Sequence, residues 1–490
     1  MSRIAASLLL ALLGAASATS VAAAADSVKA SVIAAKLRRG EPVALHGVTV
    51  RGDLDLDSTV VRREFTCTAC LWRGDIDADH AVFHEAVNLG SADVRGLVLA
   101  RGARFEGAFT IGASAHFVES AFVRDGVDFS AASFEGAANF TQTRFADVVD
   151  FTQASFHGES VFDSTEYGSN AIFDSVEFDR GARFLKARID DEAIFDQASF
   201  RGGADFREAA MSQGSFIETD FIGAAVFTDA TFPYGAYFAY TRFRAGATFT
   251  RARFGKLLTV FRGVSSDGTL TFNRAVFDPR VDAEFADLDV AGTLSFEGAS
   301  MRGGFNAANI ETRDLRMPLR IATQAPRAVQ ASLLRQIVTS AKSRGEYGTA
   351  NDAYYQLQIV RSHGYSWPLR MLDLVFYRGI AGYLVRPYHP LAVLVLLAMI
   401  AAIVAVHRRH DDLRSAQQSR RATLGAAPAW VATVISETFH RVGAAVPKRF
   451  GGSGQPLPRL ERTAYLTLLV CALLGIWANP ALREFINLFR

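Results

Sequence analysis

The sequence predicts an all-β solenoid followed by an α-helical membrane domain. Three observations predict it: Phe residues recurring at alternating steps of five and six, an apolar N-terminal leader, and two wholly apolar runs near the C-terminus. Of 490 residues, 38 are Phe and half are hydrophobic. That composition argues against disorder, and the length exceeds a single compact core. The formal charge of +2 hides an asymmetry: residues 101–260 hold 22 acidic against 15 basic side chains, and residues 311–490 hold 10 against 23. An acidic body joined to a basic tail with apolar runs points to contact with lipid.

The chain opens with a short basic start, the apolar run Ile4–Leu13, and small residues up to Ala23-Ala24-Ala25. This pattern predicts a secretory signal peptide over 1–25, with the mature chain beginning near Asp26 outside the cytoplasm. Val28, Val32, Ile33 and Leu37 then fall at helical spacing. The segment 26–52 is therefore expected to cap the first coil, whose open strand edges need covering.

Residues 53–315 carry the repeat. Large residues run Phe129, Phe134, Phe140, Phe145, Phe151, Phe156, Phe162, Tyr167 and onward to Phe254, with a slip to five between Met211 and Phe216. Two positions before most of them stands a small residue, as with Ala132, Ala138, Ala154 and Ala171. Residues two apart point to the same side of an extended backbone, whereas steps of five and six drift around a helix. Each large residue must then stack on its equivalent one turn away. Gly and polar residues between them, as in Phe134-Glu135-Gly136 and Phe200-Arg201-Gly202-Gly203, suit tight corners. The rhythm persists upstream through Phe83, Leu89, Val94, Leu99 and Phe105, and downstream through Phe272, Phe277 and Phe296.

On these residues the chain resembles the pentapeptide-repeat family, in a Phe-rich, eleven-residue variety. The resemblance implies a right-handed, quadrilateral β-helix with two eleven-residue units per coil. Soluble members of the family that mimic DNA are strongly acidic and cytoplasmic. This chain is neither by its sequence, so no nucleic-acid partner is expected.

After residue 316 helical spacing takes over. Ala331–Ser343 and Tyr347–Ser362 read as two helices broken at Gly345, and 316–370 is expected to be a helical cap or linker. The segment 371–490 is read as the membrane domain. Leu372–Arg378 and Gly382–Pro387 mix aromatics with Arg as interfacial segments do. Transmembrane helices are expected at about 389–407 and 463–479. The loop 407–463 holds ten basic residues against four acidic ones, which places it in the cytoplasm and the solenoid on the exported side. Together with its flanking spans, Ser436–Gly443 resembles the two-helix pore module of potassium-channel-like proteins. Its filter stretch Arg441-Val442-Gly443-Ala444-Ala445 lacks a Gly and the Tyr, and Arg441 puts a cation in the ion path.

Candidate chemistry is sparse. Cys67 and Cys70 form a lone CxxC, read as two packed small side chains, a local disulfide, or a weak zinc signal. Asp53, Asp55, Asp57 and Glu64 mimic a calcium loop, but Ser58 stands where the turn Gly belongs. His80 and His84 are four apart with no helix expected. No phosphate loop or nucleophile elbow is present. No catalytic, cofactor or metal residues are assigned. The expected function is a non-enzymatic, membrane-anchored scaffold that contacts lipid and a protein partner on its solenoid surface and self-associates through its membrane helices; the alternative is a channel-related protein.

Overall fold

The computed structural model describes residues 26–112, 116–117, 126–280, 283–380 and 393–406. These fall into two compact units, divided between Arg313 and Asp314. The expected signal peptide, the loop 407–463 with its filter-like stretch, and the second span at 463–479 lie outside the described residues.

The first unit is a β-solenoid of about 12 coils, built from one 44-stranded, parallel-paired sheet. The repeat dictates each coil. In residues 149–167 four short segments, Val149-Asp150-Phe151, Ala154-Ser155-Phe156, Ser160-Val161-Phe162 and Thr165-Glu166-Tyr167, each bury their outer two side chains and turn the middle one outward. These are the four faces of a coil. Strand partners lie 22 residues apart, so Phe156 pairs with Phe134 below and Phe178 above. Two eleven-residue units therefore close one coil, as the resemblance implies. The five-residue slip after Met211 is absorbed in the ladder, where Ile194 pairs with Ser215.

Four side-chain ladders fill the interior. One runs Phe129, Phe151, Phe173, Phe195 with centroids 5.2, 4.9 and 4.8 Å apart and rings within 8° of parallel. Its neighbour runs Phe140, Phe162, Phe184 at 4.8 and 4.7 Å. Between the two, rings meet edge to face: Phe162 and Phe173 lie at 5.5 Å and 84°. Parallel contacts along the axis and T-shaped contacts across it both suit the ring quadrupole. At some positions where Thr replaces the small Ala, its hydroxyl finds a carbonyl in the coil below. Thr165 donates to Phe140 O at 2.9 Å and Thr219 to Phe195 O at 2.7 Å.

Alternate corners differ. After Phe151 the chain makes a tight turn closed by Ala154 N–H on Phe151 O at 2.9 Å. Gln153, its third residue, has φ +59°, and the Asp150 carboxylate accepts Thr152 N–H at 2.7 Å. Left-handed residues recur every eleven positions through Gln142, Gln153, Ser164, Ser175 and Lys186. Glycine is mostly elsewhere. Gly136 and Gly158 occupy the other corners, where a Cβ on Gly158 would lie 2.1 Å from Gly136 O. Glycine there serves close coil approach rather than unusual φ.

At the N-terminus, helix α1 (Ala30–Arg38) buries Ala30, Ile33, Ala34 and Leu37 and packs on strands Val43–His46, Leu54–Asp55 and Val60–Val61. Val32, expected on the buried face, is 48% exposed; Ala30 and Ala34 take its place because the covered stripe runs along Ala30, Ile33, Ala34 and Leu37. Parallel pairing already begins inside the segment read as a cap, with Ser27–Lys29 on Thr49–Arg51.

The second unit holds helices α2 (Leu319–Ala322), α3 (Arg327–Ser343), α4 (Tyr347–Ser362) and α5 (Trp367–Leu372). Gly345, at φ +77°, turns the chain between α3 and α4. The two helices pack on each other, with Leu333, Leu334 and Ile337 of α3 and Tyr355 and Leu357 of α4 buried. Ser340 Oγ accepts Leu315 N–H at 2.9 Å. A π-helical turn follows at Asp373–Ile380, and 393–406 is helical. No helix among the described residues is long and apolar enough to cross a membrane.

Candidate interaction surface

The middle residue of each three-residue face points out, so the wall is a set of columns spaced one coil apart. Opposite charges on adjacent coils, 20 to 24 positions apart, also meet on the wall, mostly at its corners. Arg251 Nε donates to Asp229 at 2.7 Å, and Lys186 pairs with Glu208 at 3.7 Å. Arg244 reaches Asp220 at 2.6 Å. Arg262 pairs with Glu284, and Arg183 with Asp163. His157 meets Asp179 at 2.6 Å and His84 meets Glu106 at 2.7 Å. The His84 hydrogen bond holds the Glu106 carboxyl below its ordinary range.

Two partly buried wall carboxylates respond to their surroundings in opposite directions. Asp79, 9% exposed at its side chain, is pushed up by burial, but the Arg101 side chain and backbone N–H, each at 2.8 Å, outweigh this and hold it low. Asp174 goes the other way. Burial first, then the like charges of Asp196 and Asp150, raise it.

The residues singled out in the sequence are scattered into wall contacts. Asp53 accepts Asp75 N–H at 3.0 Å, Asp55 pairs with Arg38 at 3.1 Å, and Glu64 accepts the Thr66 hydroxyl at 2.8 Å. His80 sits in a left-handed turn, φ +55°, 3.8 Å from Asp57. His84 is engaged by Glu106. Among the described residues no group of three or more His, Cys, Asp or Glu is arranged to hold a metal ion. Cys67 and Cys70 are joined as a disulfide across a Cα separation of 5.7 Å, both buried. Of the readings left open in the sequence, the local disulfide is the one realised. The coil-to-coil pairs escaped sequence reasoning, although opposite charges 22 apart, as at Asp79 and Arg101, were the signal that marks them.

Residues 195–233 match the family model described as pentapeptide repeats (9 copies). No curated protein and no solved structure matches the chain. Coil geometry extends well beyond the matched stretch in both directions. The chain is a β-solenoid repeat protein, similar over residues 195–233 to the pentapeptide-repeat family.

Proposed function

We propose that this chain is a non-enzymatic scaffold held at a membrane, with its solenoid wall presented to a protein or envelope partner on the exported side. The observation that carries the reading is an uncovered apolar surface in the second unit. Along 393–406 Val395, Leu396, Met399, Ile403 and Val406 are 52–68% exposed, with no charged residue in the stretch. Just upstream, Trp367 is 73% and Tyr377 60% exposed, beside Arg370 and Arg378. Water does not favour so much contiguous apolar surface, whereas aromatics and Arg flanking an apolar segment suit the headgroup boundary. The Cys67–Cys70 disulfide supports the exported side, because such bonds persist in oxidising compartments. A wall whose carboxylates are tied into coil-to-coil pairs supports binding rather than catalysis.

Flotation and alkaline extraction test the anchor. Full-length protein should rise with neutral phosphatidylcholine vesicles in high salt and stay with them in carbonate. Protein left in the aqueous layer under both conditions would end the membrane reading and leave the repeat scaffold alone.

A further inference from the structure

The corner that follows the fourth face is where the repeat loosens. Between Phe254 and Phe261 the step grows to seven residues, yet Phe261 still stacks on Phe238 at 4.8 Å and 6°. The core therefore does not take up the added length. It goes outward, leaving Leu257 49% and Leu258 40% exposed. The corner is pressed hard on the coil below: a Cβ on Gly255 would lie 2.1 Å from Pro233 O, and one on Gly235 2.5 Å from Leu258 O. The two leucines are thus borne on a firm base. Tyr234 on the preceding coil and Val276 on the next are 46% and 43% exposed, and Lys256 Nζ sits 5.6 Å over the Tyr234 ring.

The corner also carries exposed cations. Arg244 and Arg251 are tied to Asp220 and Asp229, whereas Arg253 and Lys256, both exposed, form no ion pair among the described residues. Asp278 on the next coil accepts the Arg280 N–H at 2.8 Å. An outward apolar tip beside exposed cations matches a surface that is anionic outside and apolar within. We propose that this corner docks on an anionic lipid bilayer, with Leu257 and Leu258 entering the interface and Arg253 and Lys256 meeting headgroup phosphates and carboxylates. A protein partner would more naturally offer a pocket to a single anchor; a fluid bilayer accepts two adjacent leucines on a protruding corner without one. The proposal does not depend on the helical anchor, since it concerns the solenoid alone.

An environment-sensitive fluorophore at the tip reads it out. In full-length protein with Cys471→Ser, Leu257→Cys is labelled with a nitrobenzoxadiazole dye, and Ser199→Cys on the second face serves as a reference. With vesicles containing phosphatidylserine, the label at 257 should brighten and shift to the blue, while the label at 199 stays unchanged. Lys256→Gln should raise the vesicle concentration needed for half the change about fivefold. Equal responses at 257 with and without anionic lipid overturn the proposal, as does a response that grows with protein concentration in lipid-free buffer, which would assign the tip to a second copy of the chain. Because the reference label reports the solenoid and flotation reports the helical unit, failure of the tip is separable from failure of the anchor.

Discussion

Tyr167 lies parallel over Phe145, ring centroids 5.3 Å apart, with its phenol oxygen buried and without a hydrogen-bond partner. It is a phenol in a place shaped for phenylalanine. Burying a hydroxyl unpaired costs free energy, so Tyr167→Phe should stabilise the solenoid by about 1–2 kcal/mol. Burial also pushes the Tyr167 phenol well above its ordinary 10.0. As pH rises past that value the unfolded phenol ionises first, so wild-type stability falls while the variant loses less. Urea titrations near neutrality and above pH 10 check both expectations; an unchanged midpoint in the variant would contradict them.

Two glycines should respond to alanine in opposite directions. At Gly158 the new Cβ would sit 2.1 Å from Gly136 O, forcing neighbouring coils apart at a cost of about 2–4 kcal/mol. Gly348 in α4 has nothing within 4 Å of its Cβ position, and alanine there should stabilise by about 0.5–1 kcal/mol. Thermal melts of the two variants beside wild type make the comparison.

Asp79 predicts an acid limb. Burial raises its carboxyl, but hydrogen bonds from Arg101 hold it below the ordinary 3.8. A lowered folded pKa means that the unfolded state binds protons first as pH drops, so this stabilisation exists above 3.8 and disappears as pH falls through the folded value. Asp79→Asn should cost about 1 kcal/mol near neutrality, the half-exposed Arg101 being screened by solvent. Wild type and variant should converge in strong acid. Parallel stability curves at every pH would mean that the carboxylate charge contributes nothing.

The disulfide closes a very short loop, so its loss should be mild. The double variant Cys67→Ser, Cys70→Ser is expected to fold and to lose about 2 kcal/mol or less. In native protein the two buried sulfurs should resist maleimide until the chain is both unfolded and reduced, which intact-mass spectrometry follows directly.

Much of the solenoid was legible because its rule is strictly local. The alternating five and six steps of Phe129, Phe134, Phe140 and Phe145 name the inward positions, and Gly345 marks the α3–α4 break. The corners were not legible. Left-handed turn positions are held by Gln153, Ser164 and Lys186 rather than glycine, because the strand ladders on either side and the Phe151–Ala154 hydrogen bond impose a backbone that these side chains tolerate. The glycines that stand out in the sequence mark instead where one coil's carbonyl presses on the next. Val32 was misplaced because an isolated helical period leaves open which of two adjacent stripes faces the coil beneath.

By itself the sequence determined the length of a coil and the content of its core, since flat rings can pile up in register only if equivalent positions recur at equal chain intervals. What the tertiary structure decided is everything that depends on neighbours one coil away: which cation meets which carboxylate, and that the extra residue after Phe254 leaves Leu257 and Leu258 in solvent. Those contacts are set by closure of the coil in space. A chain read in one dimension does not measure that distance.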